Sequence, residues 1–288
     1  MSDRSSSISK YWTSYKWWTL FFPKQLRLET QLLYAFVREA DEYVDSNQRD
    51  HIQAKEELAI MQEAFHTAYA WSPTWRHLTD EFAALCHLRH IDINRVDAFF
   101  GAMIQDTTPS SYQTYSDLQW YMYGSAEVIG LMMCQLIGYD HFNQQEVFRT
   151  AKLLWEAMQY TNFLRDIQED REELWRIYLP ENILSDYDLS HTILKQYLTN
   201  QKQFAEQRTT CMCDEITRTR ALYREANQGI RYLNSSWRFG VYLASKLYEW
   251  ILDVIEANEY DVFTKDCHTS KLQKMLLFTK ASFTYAFL

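Results

Sequence analysis

Only 6 glycines and 4 prolines are spread over the 288 residues of this chain, against ordinary usage of roughly 7% and 5%. Glycine serves tight turns, bulges and phosphate-cradling loops, and proline marks the ends of short elements. A sheet fold needs many such positions, whereas long helices need few. The scarcity predicts an all-α protein. Apolar residues make up 47% of the chain and aromatics 16%, enough for a large core, which excludes collagen-like, disordered and disulfide-scaffold classes.

Helical spacing runs along the chain. Pro23 follows the aromatic segment Trp17-Trp18-Thr19-Leu20-Phe21-Phe22 and can open a helix, because proline is tolerated in a first turn. From Gln25 to about Val44, the residues Leu26, Leu28, Leu32, Leu33, Phe36, Val37 and Ala40 recur at helical spacing. Further helices are expected over 52–70, 78–90, 94–106, 115–137, 144–175, 191–225, 230–258 and 270–286, with breaks at Ser72-Pro73, at Pro109 and at Tyr178-Leu179-Pro180. Gly124 and Gly130 fall inside one of these helices. Glycine costs about 1 kcal/mol there relative to alanine, so each is expected to permit a close approach. No repeat and no low-complexity linker divides the chain. The reading is one α-helical domain over residues 1–288, with residues 1–10 flexible.

Lys plus Arg number 29 and Asp plus Glu 38, a net charge of −9. Nucleic-acid recognition wants a clustered basic excess, so no nucleic-acid partner is expected. The five cysteines are Cys86, Cys134, Cys211, Cys213 and Cys267, an odd number without a Cys-x-x-Cys pair. They point to free, mostly buried thiols in a reducing compartment. The opening MSDRSSSISKYW carries Asp3 and no apolar core, so no secretory signal is expected. The most apolar run, Val128 to Tyr139, is too short to span a bilayer. The chain reads as soluble and cytoplasmic, with transient peripheral membrane contact through the Trp17-Trp18 region.

Two acidic segments carry the chemistry. In the first, Arg38 to Asp45, Asp41 and Asp45 are four residues apart and share a helix face. In the second, Gln159 to Asp170, the residues Asn162, Asp166 and Asp170 step by four and four along one stripe. Like charges at this spacing repel by about 0.2–0.5 kcal/mol. Hard oxygens at i, i+4 and i+8 suit Mg²⁺ or Mn²⁺, and Mg²⁺ commonly shares phosphate oxygens with its substrate. Two facing acidic helices could hold a diphosphate through bridging metals, with Arg38 and Arg165 steadying a departing anion. Spacing alone leaves open two solvated acidic faces and plain charge balance by the arginines. The aromatics near these segments, among them Tyr34, Tyr121, Tyr123, Tyr160, Phe163, Trp237, Phe239, Tyr242 and Tyr248, can line a hydrocarbon channel or simply fill the core.

At these residues the chain resembles the squalene/phytoene synthase family, the head-to-head prenyl transferases. Leu33-Tyr34-Ala35-Phe36-Val37-Arg38-Glu39-Ala40-Asp41-Glu42-Tyr43-Val44-Asp45 resembles its first Asp-rich motif. Gln159 to Asp170, with the trailing Arg176-Ile177-Tyr178-Leu179-Pro180, resembles the second. Tyr121-Met122-Tyr123-Gly124-Ser125-Ala126-Glu127-Val128-Ile129-Gly130-Leu131 is similar to the family's Tyr-x-Tyr helix, and Ala244 to Asp253 to its C-terminal helix.

The resemblance implies an isoprenoid synthase fold with a central active-site cavity. It implies Mg²⁺ bound by Asp41 and Asp45 from one wall and by Asn162, Asp166 and Asp170 from the other. Ser14, Tyr34, Arg38, Gln159, Arg165 and Tyr248 would contact the allylic prenyl diphosphates, and Tyr123 would sit near the reacting carbons. The form Gly-Ser-Ala-Glu-Val-Ile-Gly, with Glu127 where a small residue is usual, resembles a subset assigned as phytoene synthases. That favours two geranylgeranyl diphosphates as substrates and no need of NADPH. Farnesyl diphosphates giving dehydrosqualene or squalene are the alternative. In the N-terminal segment Tyr11-Trp12-Thr13-Ser14-Tyr15, only Ser14 keeps the hydroxyl of the family's pattern, and Lys246 stands where arginine is common.

Two other classes fit the motifs less well. A di-iron carboxylate bundle needs two Glu-x-x-His motifs, and the chain has one, Glu63 to His66. A non-catalytic assembly factor or lipid binder would be expected to lose its acidic ligands, and all five are present here.

Overall fold

A computed structural model describes residues 22–45, 51–72, 74, 77–108, 111–173, 176–196, 204–263, 265, 267 and 271–285. The architecture is all-α, as expected. Among the described residues no strand forms, and one isolated bridge pairs Tyr139 with Leu233.

The first helix, α1 (Lys24–Asp45), begins directly after Pro23, whose carbonyl accepts from the Arg27 N–H at 2.9 Å. Its core stripe is Leu26, Leu33, Phe36, Ala40 and Tyr43, all buried. Leu28, which the periodicity placed with them, is instead on the exposed side. α1 packs on α2 (His51–Tyr69), α3 (His77–Arg89) and α4 (Ile93–Asp106). Phe36 stacks on Phe82 at 4.1 Å between centroids and meets Phe65 at 5.6 Å and Phe100 at 5.7 Å. One ring therefore ties α1 to all three neighbours. The Arg89 guanidinium adds a bidentate pair to Glu29, at 2.7 and 2.8 Å. The acidic end of α1 is thereby set in a fixed orientation.

The expected helix over 115–137 is interrupted. α5 (Tyr115–Met122) starts with a capping box between Thr114 and Asp117. A π-helical turn (Tyr123–Glu127) comes next, and then α6 (Val128–Ile137), which ends at Gly138 with φ +79°. The extra residue of a π turn rotates the downstream helix by about 100°. Gly124 lies in this turn because the backbone of α4 is against it: an added Cβ would lie 2.5 Å from the Ala98 carbonyl oxygen.

The central element is α7 (Gln144–Arg165). Its residues Val147, Thr150, Leu154, Ala157, Thr161 and Leu164 alternate by three and four and are all buried. It packs most extensively on α11 (Ala205–Asn227) and also on α6, the π turn and α12 (Ser235–Ala257). The Tyr160 hydroxyl donates to Glu215 of α11 at 2.5 Å.

The long helix expected over 144–175 is two helices. α7 stops at Arg165, and α8 (Ile167–Glu173) starts one residue later. Asp166 has φ −98° and ψ 12°, which breaks the helix at the acidic residue while its N–H still bonds the Asn162 carbonyl at 2.8 Å. Short helices α9 (Glu181–Ser185) and α10 (His191–Gln196) come after it. The single helix expected over 191–225 is thus represented by α10 and α11. A 3₁₀ turn (Gln228–Tyr232) precedes α12, so that helix starts at Ser235 rather than 230. The last element is α13 (Lys271–Tyr285). All five cysteines are free, and four are buried.

Candidate active site

The first wall is the face of α1 beside its core stripe. Arg38 pairs with Asp41 one turn on and approaches Glu42 at 3.5 Å. The Asp41 side chain is recessed: 39% of it meets water, but protein surrounds the rest. That desolvation raises its pKa above the ordinary carboxylate value, and Arg38 pulls it back down. The Asp45 backbone closes α1, and its side chain lies outside the described residues.

The second wall is the α7–α8 junction. Arg165 grips Asp166 with Nε to Oδ1 at 2.6 Å, and both are buried. A fork of this kind is the strong form of a guanidinium–carboxylate pair. Asn162 presents a buried Oδ1 that has no hydrogen-bond partner among the described residues. Asp170 comes next on α8, half-buried, with its N–H on the Asp166 carbonyl at 2.8 Å.

Tyr248 of α12 joins the walls. Burial raises its pKa, and the charges beside it are Arg165 and Asp166. Tyr34 is raised by burial too, with Arg38 opposing and Asp41 and Tyr248 adding to the rise. Tyr34 is thus within electrostatic reach of Arg38, Asp41 and Tyr248, and Tyr248 within reach of Arg165 and Asp166. Tyr34, one turn before Arg38, and Asn162 of the second wall are more than a hundred residues apart in sequence and line a common cavity.

Within electrostatic reach of Asp41 is a buried hub that the sequence reading did not identify. Asp106, at the end of α4, accepts from the Tyr121 hydroxyl at 2.6 Å and from Arg176 Nη1 at 2.9 Å. Burial pushes the Asp106 acid up to about 6 against the pull of Arg176, and Asp41 adds to the rise. Tyr178 stacks on Phe163 of α7 at 4.0 Å with planes 10° apart. The signal was present in the sequence: Phe99, Ala102, Met103 and Asp106 lie on one buried stripe, and a lone acid on an apolar stripe demands a partner.

From this polar region a cavity of about 220 Å³ runs between α1, α6, α7 and α12. Tyr34, Gln159, Asn162 and Tyr248 contribute its polar lining, and the remainder is almost wholly apolar. Four expected site residues thus line one cavity, and Arg38, Asp41, Arg165 and Asp166 are not part of its lining. Tyr123 does not line it and is 37% exposed. On an unbroken helix Tyr123 and Gly130 would share a stripe. The π turn separates them, and Gly130 alone faces the cavity. Ser14, Trp17 and Trp18 lie outside the described residues.

Among the described residues no three His, Cys, Asp or Glu side chains converge as a metal-holding group. His66 of the Glu-x-x-His segment faces Asp97 at 2.7 Å. The donor chemistry at the second wall fits a hard divalent cation all the same. The orphaned Asn162 oxygen can only accept, and Asp166 is one turn further on, its N–H bonded to the Asn162 carbonyl.

Comparison with known proteins agrees with this geometry. The helix arrangement is that of the isoprenoid synthases. A dehydrosqualene synthase structure superposes with a TM-score of 0.85 at 22% identity, covering 98% of this chain and 95% of its own. A squalene synthase from Alicyclobacillus acidocaldarius superposes with a TM-score of 0.74 at 23% identity, covering 84% and 88%. A squalene/phytoene synthase profile matches residues 8–273. The 15-cis-phytoene synthase of Synechocystis sp. is 32% identical over 270 residues, 90% of this chain and 77% of its own length. A chloroplastic phytoene synthase of Daucus carota is 30% identical over 278 residues, 95% of this chain and 68% of its own length. The chain belongs to the squalene/phytoene synthase family, whose members are prenyltransferases of isoprenoid and carotenoid biosynthesis.

Proposed function

We propose that the protein condenses two geranylgeranyl diphosphates head to head to phytoene. The observation that carries this reading is the apolar cavity with Asn162, Gln159, Tyr34 and Tyr248 as its polar lining, each acidic segment also holding an arginine–carboxylate pair. A hydrocarbon tail fits the first feature and a diphosphate head the second. The relatives named phytoene synthase support the choice of substrate. The chain spans 61% to 68% of the length of the first three plant relatives.

Asp41, Asp45, Asn162, Asp166 and Asp170 would hold Mg²⁺, with Mn²⁺ as a substitute. The metal would supply positive charge to the diphosphate oxygens. Arg38 and Arg165 pair with Asp41 and Asp166 and add donors for the leaving diphosphate. Loss of diphosphate from one substrate leaves an allylic cation. The double bond of the second substrate attacks it, and loss of a proton closes a cyclopropylcarbinyl diphosphate. A second ionisation, rearrangement and proton loss give the hydrocarbon, so two diphosphates and two protons leave in all. The apolar lining excludes water that would otherwise trap the cation.

The second reading is condensation of farnesyl diphosphates, favoured by the overlay on dehydrosqualene synthase. Incubating the protein with Mg²⁺ and each diphosphate, with and without NADPH, and weighing the extracted hydrocarbon decides between them. Phytoene formed without NADPH is the expected result. A farnesyl-derived hydrocarbon would replace the substrate, and no hydrocarbon from either would overturn the reaction.

No helix among the described residues is long and apolar enough to cross a membrane. We place the protein in the cytoplasm, reaching oily substrate by transient membrane contact through Trp17 and Trp18. Liposome flotation without association would overturn that contact.

A further inference from the structure

Trp155 lines the cavity from α7 and is only partly buried. Its indole is pressed onto the α6 backbone: a Cβ added at Gly130 would lie 2.3 Å from Trp155 Cδ1 and 2.9 Å from Nε1. A side chain held this closely cannot swing toward α6. It fills the gap between the two helices. The cavity nevertheless continues past it to Val147 and Ala151. The helical rise puts Trp155 about 10 Å below Asn162 and Val147 about 22 Å below it. Near the far end the wall is pinned as well, because a Cβ at Gly229 would lie 1.8 Å from Thr150 Oγ1.

We propose that Trp155 is the chain-length selector of this cavity. A prenyl chain whose diphosphate sits at the polar mouth meets the indole about half-way down, and the space beside and beyond the ring decides how many further carbons fit. The inference rests on the proposed reading that the cavity takes a prenyl tail. Discrimination in an apolar pocket by one methylene is worth roughly 10–200-fold, so a barrier to a whole five-carbon unit is easily read.

The test presents the wild type, Trp155→Ala, Trp155→Phe and Ala151→Phe with equimolar geranyl, farnesyl, geranylgeranyl and geranylfarnesyl diphosphates and Mg²⁺. Product ratios and the affinities of the matching thiolo-diphosphates are both measured. Trp155→Ala should raise the preference for longer over shorter chains by at least about 10-fold, with Trp155→Phe between it and the wild type. Ala151→Phe, which fills the deep end, should move the preference the opposite way. An unchanged ratio in Trp155→Ala overturns the proposal. If that variant fails to fold by circular dichroism, an unchanged ratio in Trp155→Phe overturns it instead. A wild type that turns over none of the four overturns the condensation reading, and the thiolo-diphosphate affinities then decide on Trp155 alone.

Discussion

The Arg176 guanidinium donates to Asp106 at 2.9 Å, joining the end of α4 to the segment just after the second acidic cluster. Both groups are buried, and each neutralises the other. Asp106 also holds the Tyr121 hydroxyl. Removing one partner of a buried ion pair typically costs about 3–5 kcal/mol, because the other charge is stranded. Asp106→Ala should lose that much in urea unfolding, and Asp106→Asn less. Unchanged stability in the alanine variant would show that the hub does not hold the floor of the site.

Asp41 is a cleaner probe of the chemistry than Asp166. Its side chain is partly exposed, whereas Asp166 neutralises the buried Arg165. Asp41→Asn should keep the melting temperature and lower kcat by at least about 100-fold, in the range seen when a group that stabilises developing charge is lost. Chelation by EDTA should abolish turnover and added Mg²⁺ restore it. Activity persisting in the variant, or in EDTA, would remove the metal assignment.

Glu127 gives the molecule a pH dependence unrelated to the ligand set. Burial, then the facing Glu156, pushes its acid up to about 7 from an ordinary 4.5, with Lys152 opposing. Below pH 4.5 the group is protonated in both the folded and unfolded chains. Between about 4.5 and 7 the unfolded chain releases its proton while the folded chain keeps it, so stability falls as pH rises through this window. The loss amounts to at most about 3.5 kcal/mol, at ~1.4 kcal/mol per pH unit. Glu127→Gln lacks it, so its advantage over the wild type in denaturant titrations should grow across that window and then level off. Parallel stability curves would refute the burial argument.

Gly124→Ala tests the π turn. The new Cβ would meet the Ala98 carbonyl oxygen at 2.5 Å and the Ala102 Cβ at 2.8 Å. Backbone cannot rotate away as a flexible side chain can, so overpacking should cost about 1–3 kcal/mol. Thermal unfolding measures it, and a neutral result would mean that α4 can retreat from the turn.

Much of the site was legible because the signals are local. A four-residue step relates Asn162, Asp166 and Asp170, and the i to i−4 bonds Asp166 N–H to Asn162 and Asp170 N–H to Asp166 persist across the break at Asp166; the same step relates Tyr34 to Arg38 and Asp41 to Asp45. Helix breaks were less legible. Nothing in Arg165-Asp166-Ile167 announces a terminator, because the backbone there bends while a buried arginine holds the neighbouring carboxylate. The π turn escaped for a similar reason: it is set by how closely α4 approaches Gly124, which is a relation between distant segments.

The sequence by itself determined the helical class, the two acidic stripes and their arginines, since propensity and periodicity act within a turn or two of chain. Only the tertiary structure decided that Tyr34, Asn162 and Tyr248 line one cavity, that Asp106 is buried within electrostatic reach of Asp41, and that Trp155 lines the same cavity against Gly130. Those facts depend on which faces of distant helices are pressed together. Packing sets that globally, and no local spacing encodes it.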